Sequence, residues 1–279
     1  MRNNIRVAAV TMHSSVGETV LNLQKMEQWI MAAIESQAAM ICFPEMSITG
    51  YHAREPMDRF AETIPGPSTH FLHRIAQKTG ITILAGLAEK DAAGRHHAGH
   101  VIITPAGVAG CYRKIHLGPL EEPFFTSGDK ISIFETHGTR FGIQLCYDAH
   151  FPELATVMAL KGAEIIFMPH ASPRNTPAEK LRSWMRHLPA RAYDNSLFVV
   201  ACNPCGDNGK GLSFPGAAVA ISPSGDVLQS CSGDGEQMIV VDLKADVLEG
   251  VRSHRMKYFL PNRTVIVKQV VASENKKNS

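Results

Sequence analysis

The segment that decides how the chain is interpreted is Arg140–Glu153, which reads RFGIQLCYDAHFPE. Its first half is short and apolar, which indicates a buried β-strand ending near Leu145. Cys146 follows, and Phe151-Pro152-Glu153 opens a predicted helix, because proline is favoured in the first turn. A thiol at such a strand-to-helix turn lies beside unpaired backbone N–H groups and the positive end of a helix. This setting favours a thiolate and an acyl oxyanion, although most free cysteines are simply small buried hydrophobic residues.

The composition indicates one large globular domain. The chain has 279 residues, of which 44% are hydrophobic and 19% are charged, and its net charge is only +2. This charge is too small to imply a nucleic-acid partner or an anionic membrane surface. No apolar run reaches the roughly 18 residues of a membrane span, and the N-terminal residues lack the pattern of a signal peptide. Six cysteines are too few for a disulfide scaffold, so we expect a cytoplasmic protein with reduced thiols.

Short apolar runs alternate with helical patterns along the chain. Strands are predicted at 5–10, 40–43, 81–87, 100–103, 110–112, 165–168, 197–202, 217–221 and 237–241, with a hairpin of 131–134 and 140–145. Helices are predicted at 22–37, 68–78, 153–161 and 179–193, the last kinked or interrupted by Pro189. Residues 206–211 suggest a flexible loop. The alternation predicts a single α/β domain over residues 1–250, followed by a C-terminal arm and disordered tail over 251–279.

Three reactive side chains follow strands of this pattern. Glu45 comes after the strand at 40–43, Lys114 after the strand at 110–112, and Cys146 after the strand that ends near Leu145. In α/β sheets, ligands bind beyond the carboxyl ends of the strands. We therefore expect a carboxylate, an ammonium and a thiol to meet there. Taken singly, Glu45 could be a helix-start acid and Lys114 a solvated surface charge.

Such a trio has a definite chemistry. An unperturbed thiol has a pKa near 8.5, so a carboxylate that accepts its proton activates it as a nucleophile. A fixed ammonium stabilises the oxyanion of an acyl intermediate and keeps the carboxylate ionised. The backbone N–H of Tyr147 is the predicted second oxyanion donor.

Three segments resemble the signature segments of the nitrilase superfamily, the carbon–nitrogen hydrolases, in sequence, order and spacing. They are FPEMSITGY (43–51), YRKIHL (112–117) and CYDAHFPE (146–153). The resemblance covers about residues 5–245. It implies an α/β fold of the four-layer αββα sandwich type, with a Glu45–Lys114–Cys146 triad. It also implies a homodimer or higher homo-oligomer, paired through helices that cover the sheets.

The resemblance implies further site residues. Superfamily members usually carry a second glutamate after the lysine; we expect Glu121, seven positions on, with Glu122 as the fallback, although both could be solvated acids. Segments predicted to rim the pocket contain His150, His170, Arg174 and Asn175. Arg174 could bind a substrate carboxylate in a bidentate fork, or be a surface residue.

The resemblance implies a hydrolase of non-peptide C–N bonds in small amide or N-carbamoyl substrates. The reaction passes through a cysteine thioester and releases ammonia or an amine. Tyr147-Asp148 follows the nucleophile where true nitrilases commonly have Trp-Glu, which favours amidases and carbamoyl hydrolases. A nitrile hydrolase and a catalytically silent binding or scaffold protein stay open as alternatives.

Other constellations give competing interpretations. A Cys–His dyad could use one of three histidines, His116, His150 or His170. The CxxC spacing of Cys202 and Cys205 is also seen in zinc and redox sites, but no second CxxC accompanies it. Three histidines near a turn, His96, His97 and His100, could bind a metal but are more often exposed polar residues. We predict neither a metal nor a cofactor.

Overall fold

The computed structural model describes residues 1–53, 56–173 and 176–263. Two six-stranded mixed sheets pack face to face, and helices cover the outer face of each. The predicted αββα sandwich is therefore confirmed. Among the helices of the described ranges, none has both the length and the hydropathy of a transmembrane segment.

The first sheet has the strand order β14-β1-β2-β3-β4-β5. β1, β2 and β3 are parallel, and the remaining pairs are antiparallel. Its strands are β1 (Ile5–Thr11), β2 (Met40–Cys42), β3 (Thr82–Lys90), β4 (His96–Thr104), β5 (Gly107–Arg113) and β14 (Gln237–Leu243).

The second sheet has the order β13-β12-β9-β8-β7-β6, with β7, β8 and β9 parallel. Its strands are β6 (Phe134–Thr136), β7 (Thr139–Ile143), β8 (Ile165–Pro169), β9 (Phe198–Asn203), β12 (Gly216–Ile221) and β13 (Val227–Gly233). A separate small hairpin consists of β10 (Gly206–Asp207) and β11 (Ser213–Phe214).

Six α-helices are assigned in the described ranges. They are α1 (Thr19–Glu35), α2 (Pro67–Thr79), α3 (Pro152–Leu160), α4 (Pro177–Trp184), α5 (Leu188–Asn195) and α6 (Ala245–Ser253). α1 and α2 pack on the first sheet, whereas α3, α4 and α5 pack on the second.

Alternation along the strands explains the layers. In β1, Val7 and Ala9 belong to the core between the sheets, whereas Ala8 and Val10 pack in the core beneath α1. Both faces of the strand are buried, which is why these strands read as continuous apolar runs. The same arrangement puts the carboxyl ends of β2 and β7 at the edge where their connecting loops carry polar residues.

Several predicted boundaries change. The hairpin strands are shorter than predicted, because residues 131–133 are not in a strand and β7 ends at Ile143. The helix predicted at 179–193 is two helices, since Pro189 lies in the first turn of α5, where its missing N–H costs nothing. Residues 206–211 include β10 instead of forming only a loop. α6 was missed, and it runs through residue 250, so the division into residues 1–250 and 251–279 stays a prediction.

Candidate active site

Three charged side chains meet beyond the ends of the first-sheet strands. The ammonium of Lys114 donates hydrogen bonds of 2.8 Å to Glu45 Oε1 and of 2.8 Å to Glu121 Oε1. Glu45, Lys114 and Glu121 are 2%, 1% and 2% exposed. Ions this deeply buried persist only when they are paired, so the two carboxylates and the ammonium form one unit.

The loop after β2 holds Glu45 by close contact with β3. A Cβ on Gly86 of β3 would lie 2.2 Å from the backbone nitrogen of Met46, so only glycine fits there. The backbone N–H of Glu45 also donates to the carbonyl oxygen of His170 at 3.2 Å. Glu45 is therefore fixed by both sheets, since His170 directly follows β8.

Glu121 is held by neutral donors in addition to Lys114. Tyr51 donates its hydroxyl to Oε1 at 2.9 Å, and the backbone N–H of Gly118 donates to Oε2 at 2.6 Å. Glu122, the fallback residue, is exposed. Glu121 is thus the one of the two loop acids that contacts Lys114.

Cys146 is the first residue of a 3₁₀ turn, Cys146–His150, which connects β7 to α3. Its φ is 42°, a left-handed conformation that a residue other than glycine adopts only at a free-energy cost. The charged groups that most affect its thiol are Glu45, Lys114, Lys180 and Glu121. The thiol therefore lies within electrostatic reach of the buried unit.

Asp148 connects this turn by hydrogen bonds to the loop that carries Lys114. Its Oδ2 accepts hydrogen bonds from Leu145 N at 3.1 Å and from the hydroxyl of Tyr112 at 2.8 Å. Its Oδ1 accepts from the backbone N–H of His116 at 2.8 Å. One fully buried carboxylate thus connects the residue before the thiol with the segment just after Lys114.

The direction of the Cys146 pKa runs against the expectation that the site favours a thiolate. Burial raises the pKa of Cys146 to about 11; Glu45 raises it further, while Lys114 and Lys180 oppose the rise. Loss of solvation in the buried site is the largest cause, because it disfavours the charged thiolate. A raised pKa favours the neutral thiol, so a base must take its proton during reaction.

Glu45 has the properties of such a base. Burial raises its pKa to about 7, Lys114 lowers it and Glu121 raises it. Its Oε2 atom is buried and has no hydrogen-bond partner in the described part of the chain. Burial on its own would lower the pKa of Lys114, but Glu45 and Glu121 raise it above its ordinary value, so Lys114 stays charged.

The residues predicted to rim the pocket have different surroundings. Tyr147 is 38% exposed, and its ring lies 5.7 Å from the ring of the exposed His150. His170 is buried, and its Nδ1 lies 2.8 Å from the carbonyl oxygen of Met168. Arg174 and Asn175 lie outside the described residues.

The competing constellations receive little support from the geometry. His116 Nδ1 lies 2.9 Å from Asp148, and no histidine is among the groups that most affect the Cys146 thiol. The thiols of Cys202 and Cys205 lie against different carbonyl oxygens, those of Cys42 and Thr11. His97, from the suggested metal cluster, contacts Thr126 O at 2.8 Å and Asp91.

Sequence reasoning missed four residues that the structure connects to the site: Tyr51, Asp148, Lys180 and Trp184. Tyr51 and Asp148 lie inside the quoted signature segments, so their position in the sequence could have indicated that they belong to the site. Lys180 and Trp184 are four residues apart in a predicted helix, which places them on one helix face. Their burial could not be read from the sequence, because a lysine near a helix start is normally solvated.

Comparison with known proteins identifies the family. The carbon–nitrogen hydrolase model matches residues 6–253. A protein named nitrilase from Pyrococcus abyssi is 33% identical over 263 residues, which are 93% of this chain and 97% of that protein. An (R)-stereoselective amidase from a Pseudomonas species is 30% identical, covering 89% of this chain and 88% of the relative. The crystal structure of a carbon–nitrogen hydrolase from Helicobacter pylori has a TM-score of 0.84 at 25% identity, covering 96% of this chain and 98% of that one. The chain therefore belongs to the carbon–nitrogen hydrolase family, within the nitrilase superfamily.

Proposed function

We propose that this carbon–nitrogen hydrolase cleaves small linear amides or N-carbamoyl compounds through a thioester on Cys146. The observation that carries the proposal is the buried Glu45–Lys114–Glu121 unit, whose charges act on the Cys146 thiol and whose Glu45 Oε2 atom is left unpartnered among the described residues. An unpartnered carboxylate oxygen with a pKa near neutrality is suited to accept a proton at pH 7. The relative named an amidase supports this substrate class.

In the first half of the reaction, Glu45 takes the thiol proton as the sulfur of Cys146 attacks the carbonyl carbon. The ammonium of Lys114 and the backbone N–H of Tyr147 stabilise the resulting oxyanion. Glu45 then gives its proton to the leaving nitrogen, the C–N bond breaks, and ammonia or an amine departs. The acyl group remains on sulfur as a thioester.

In the second half, Glu45 takes a proton from water, whose oxygen attacks the thioester carbonyl. The C–S bond breaks, the proton passes from Glu45 to the sulfur, and the acid is released. The net reaction of an amide is the addition of one water to give an acid and ammonia. Glu121 acts as a positioning residue, because its carboxylate holds Lys114 against Glu45.

The test is ammonia release from a panel of amides, N-carbamoyl compounds and nitriles. Cys146→Ala should abolish release, whereas Cys231→Ala, at a half-buried cysteine of β13, should retain it. Release from nitriles alone would favour the alternative suggested by the relative named nitrilase. A protein that releases no ammonia, and whose cysteines react evenly with iodoacetamide, would instead be a binding or scaffold member of the family.

Two further expectations stay predictions. The resemblance implies a homodimer or higher homo-oligomer, and the cysteine usage indicates a cytoplasmic location. Sedimentation of the purified chain tests the first, and localisation in the source cells tests the second.

A further inference from the structure

Tyr51 is the uncharged donor of the buried unit, and its own position depends on a distant part of the chain. Its hydroxyl donates to Glu121 Oε1 at 2.9 Å, and the same oxygen accepts from Lys114 at 2.8 Å. Tyr51 lies in a connecting segment outside the helices and strands, so no ladder of backbone hydrogen bonds fixes it. Its ring and its carbonyl oxygen instead contact the small hairpin of β10 and β11.

Two residues of this hairpin hold Tyr51. Asn208 Nδ2 donates a hydrogen bond of 2.8 Å to the carbonyl oxygen of Tyr51. The buried ring of Phe214 packs edge-on against the Tyr51 ring, with 6.1 Å between the two centroids. The first contact fixes the backbone of Tyr51 and the second limits the rotation of its ring. Together they aim the hydroxyl at Glu121.

Asn208 is a buried residue in an otherwise exposed turn. It is 2% exposed, whereas Asp207 and residues 209–211 are exposed. Its Oδ1 accepts hydrogen bonds from the backbone N–H groups of Lys210 at 2.9 Å and Leu212 at 3.0 Å. The carboxamide therefore uses its oxygen to shape the turn and its NH₂ group to hold Tyr51. Because the two roles belong to different atoms, substitutions can separate them.

The hairpin is anchored independently of Tyr51. The ring of His13 contacts the carbonyl oxygen of Asp207, and the Lys25 ammonium of α1 lies 3.1 Å from the Nδ1 atom of that ring. Lys25 also pairs with Glu236, which precedes β14, at 3.2 Å. The hairpin is thus held by α1 and by the edge of the first sheet, so Asn208 extends to Tyr51 from a fixed support.

We infer that Asn208 and Phe214 are positioning residues of the proposed amide hydrolysis. By fixing Tyr51 they keep its hydroxyl on Glu121, and the shared oxygen of Glu121 keeps Lys114 in place. The inference rests on the proposed function and adds residues to it. The Lys114 ammonium stabilises the oxyanion, which forms only during reaction, so its displacement should lower kcat and leave KM nearly unchanged.

The experiment is a double-mutant cycle in the ammonia assay. Asn208→Asp keeps an acceptor for the turn but replaces the NH₂ donor, and it should lower kcat roughly three- to tenfold with KM within about twofold. Tyr51→Phe should lower kcat about 10- to 150-fold. Adding Asn208→Asp to Tyr51→Phe should cost less than about a further twofold, because the hydroxyl through which Asn208 acts is already gone. Lys210→Ala, at an exposed side chain of the same turn, is the control and should match the wild type.

A second measurement does not require turnover. Lys114 lowers the pKa of the Cys146 thiol, so displacement of Lys114 should slow alkylation of Cys146 by iodoacetamide at pH 8. We expect a roughly three- to tenfold slower reaction in Asn208→Asp and in Tyr51→Phe, and no change in Lys210→Ala. Urea unfolding identifies the variants that are folded under the assay conditions. In folded protein, a residue that only stabilised the hairpin would leave the alkylation rate unchanged.

The outcomes separate positioning from a structural role. Additive losses of kcat in the double variant would overturn the inference, as would wild-type alkylation rates in both single variants. Wild-type kcat in Asn208→Asp together with a loss in Asn208→Ala would also overturn it, since Asn208 would then serve the turn alone. If neither Asn208 variant folds, Phe214→Leu decides: slower alkylation supports the inference, and a wild-type rate overturns it.

Failure of the proposed function is recognised separately. A wild-type protein that releases no ammonia from any compound of the panel would refute that function. The alkylation rates would still decide whether the hairpin positions Lys114 beside the thiol.

Discussion

Replacing Glu121 by glutamine removes a buried negative charge and keeps the shape of the side chain. In the wild type this carboxylate accepts hydrogen bonds from Lys114 at 2.8 Å, Tyr51 at 2.9 Å and Gly118 N at 2.6 Å. A carboxamide has only one acceptor oxygen, so its NH₂ group must face at least one of these donors. A hydrogen bond to a charged group contributes about 1.5–3 kcal/mol. We therefore expect Glu121→Gln to lower kcat/KM by roughly 10- to 150-fold through misplacement of Lys114.

The same substitution should move the pH profile in a defined direction. Glu45 must be ionised to accept the thiol proton, so kcat/KM should rise with pH through its raised pKa of about 7. Glu121 is one of the charges that raise this pKa. Removing that charge lowers the pKa of Glu45, so the rising limb moves to lower pH even as the maximum rate falls.

The assay is initial-rate ammonia release from the best amide of the panel between pH 5 and 9. Glu122→Gln is the matched control, because Glu122 is the adjacent exposed acid, and it should stay within about twofold of the wild type. A limb that stays in place or moves to higher pH in Glu121→Gln would refute the electrostatic part of the reasoning. Loss of activity in Glu122→Gln with normal activity in Glu121→Gln would refute the assignment of the second glutamate.

Three further predictions follow from the contacts around the thiol. Glu45→Gln should lower kcat/KM about 10²- to 10⁴-fold in the ammonia assay, because the general base is lost. The same variant should shift the alkylation of Cys146 by iodoacetamide to lower pH, because the Glu45 charge raises the thiol pKa, and slower alkylation at every pH would contradict this. Gly86→Ala should destabilise the fold by about 1–3 kcal/mol in urea unfolding, since its Cβ would meet backbone at 2.2 Å, whereas Gly250→Ala meets nothing within 4 Å and should be close to neutral. Asp148→Asn should lower the free energy of unfolding by about 1–3 kcal/mol and reduce kcat/KM, because the NH₂ group of the asparagine would face backbone N–H donors. If neither the free energy of unfolding nor kcat/KM changed, the turn would not depend on this carboxylate.

The parts of the fold that could be predicted were those with a local signal. Continuous apolar runs such as 165–168 mark strands buried on both faces, and they appear where expected. The break between α4 and α5 was indicated by Pro189, a residue with a fixed backbone geometry. α6 was missed because Ala245–Ser253 is a short helix that follows the last strand directly and crosses the domain boundary predicted at residue 250.

The site shows the same division between local and long-range information. Glu45, Lys114 and Glu121 could be chosen from motif spacing, and the contact between them is seen in the structure. The raised pKa of Cys146 could not be predicted, because it depends first on burial and then on charges that are distant in sequence, such as Glu45 and Lys114. The burial of Lys180 is likewise a tertiary property, and no local pattern distinguishes it from a solvated lysine.

The central claim is that the sulfur of Cys146 carries the acyl group during turnover. The most direct measurement is acid quenching of the enzyme during steady-state hydrolysis of its best amide, followed by peptide mass analysis. We predict a mass increase equal to the acyl group on the peptide that contains Cys146, absent in Cys146→Ala. Ammonia release that persists in Cys146→Ala, or acylation of a different cysteine with Cys146 unmodified, would contradict the account.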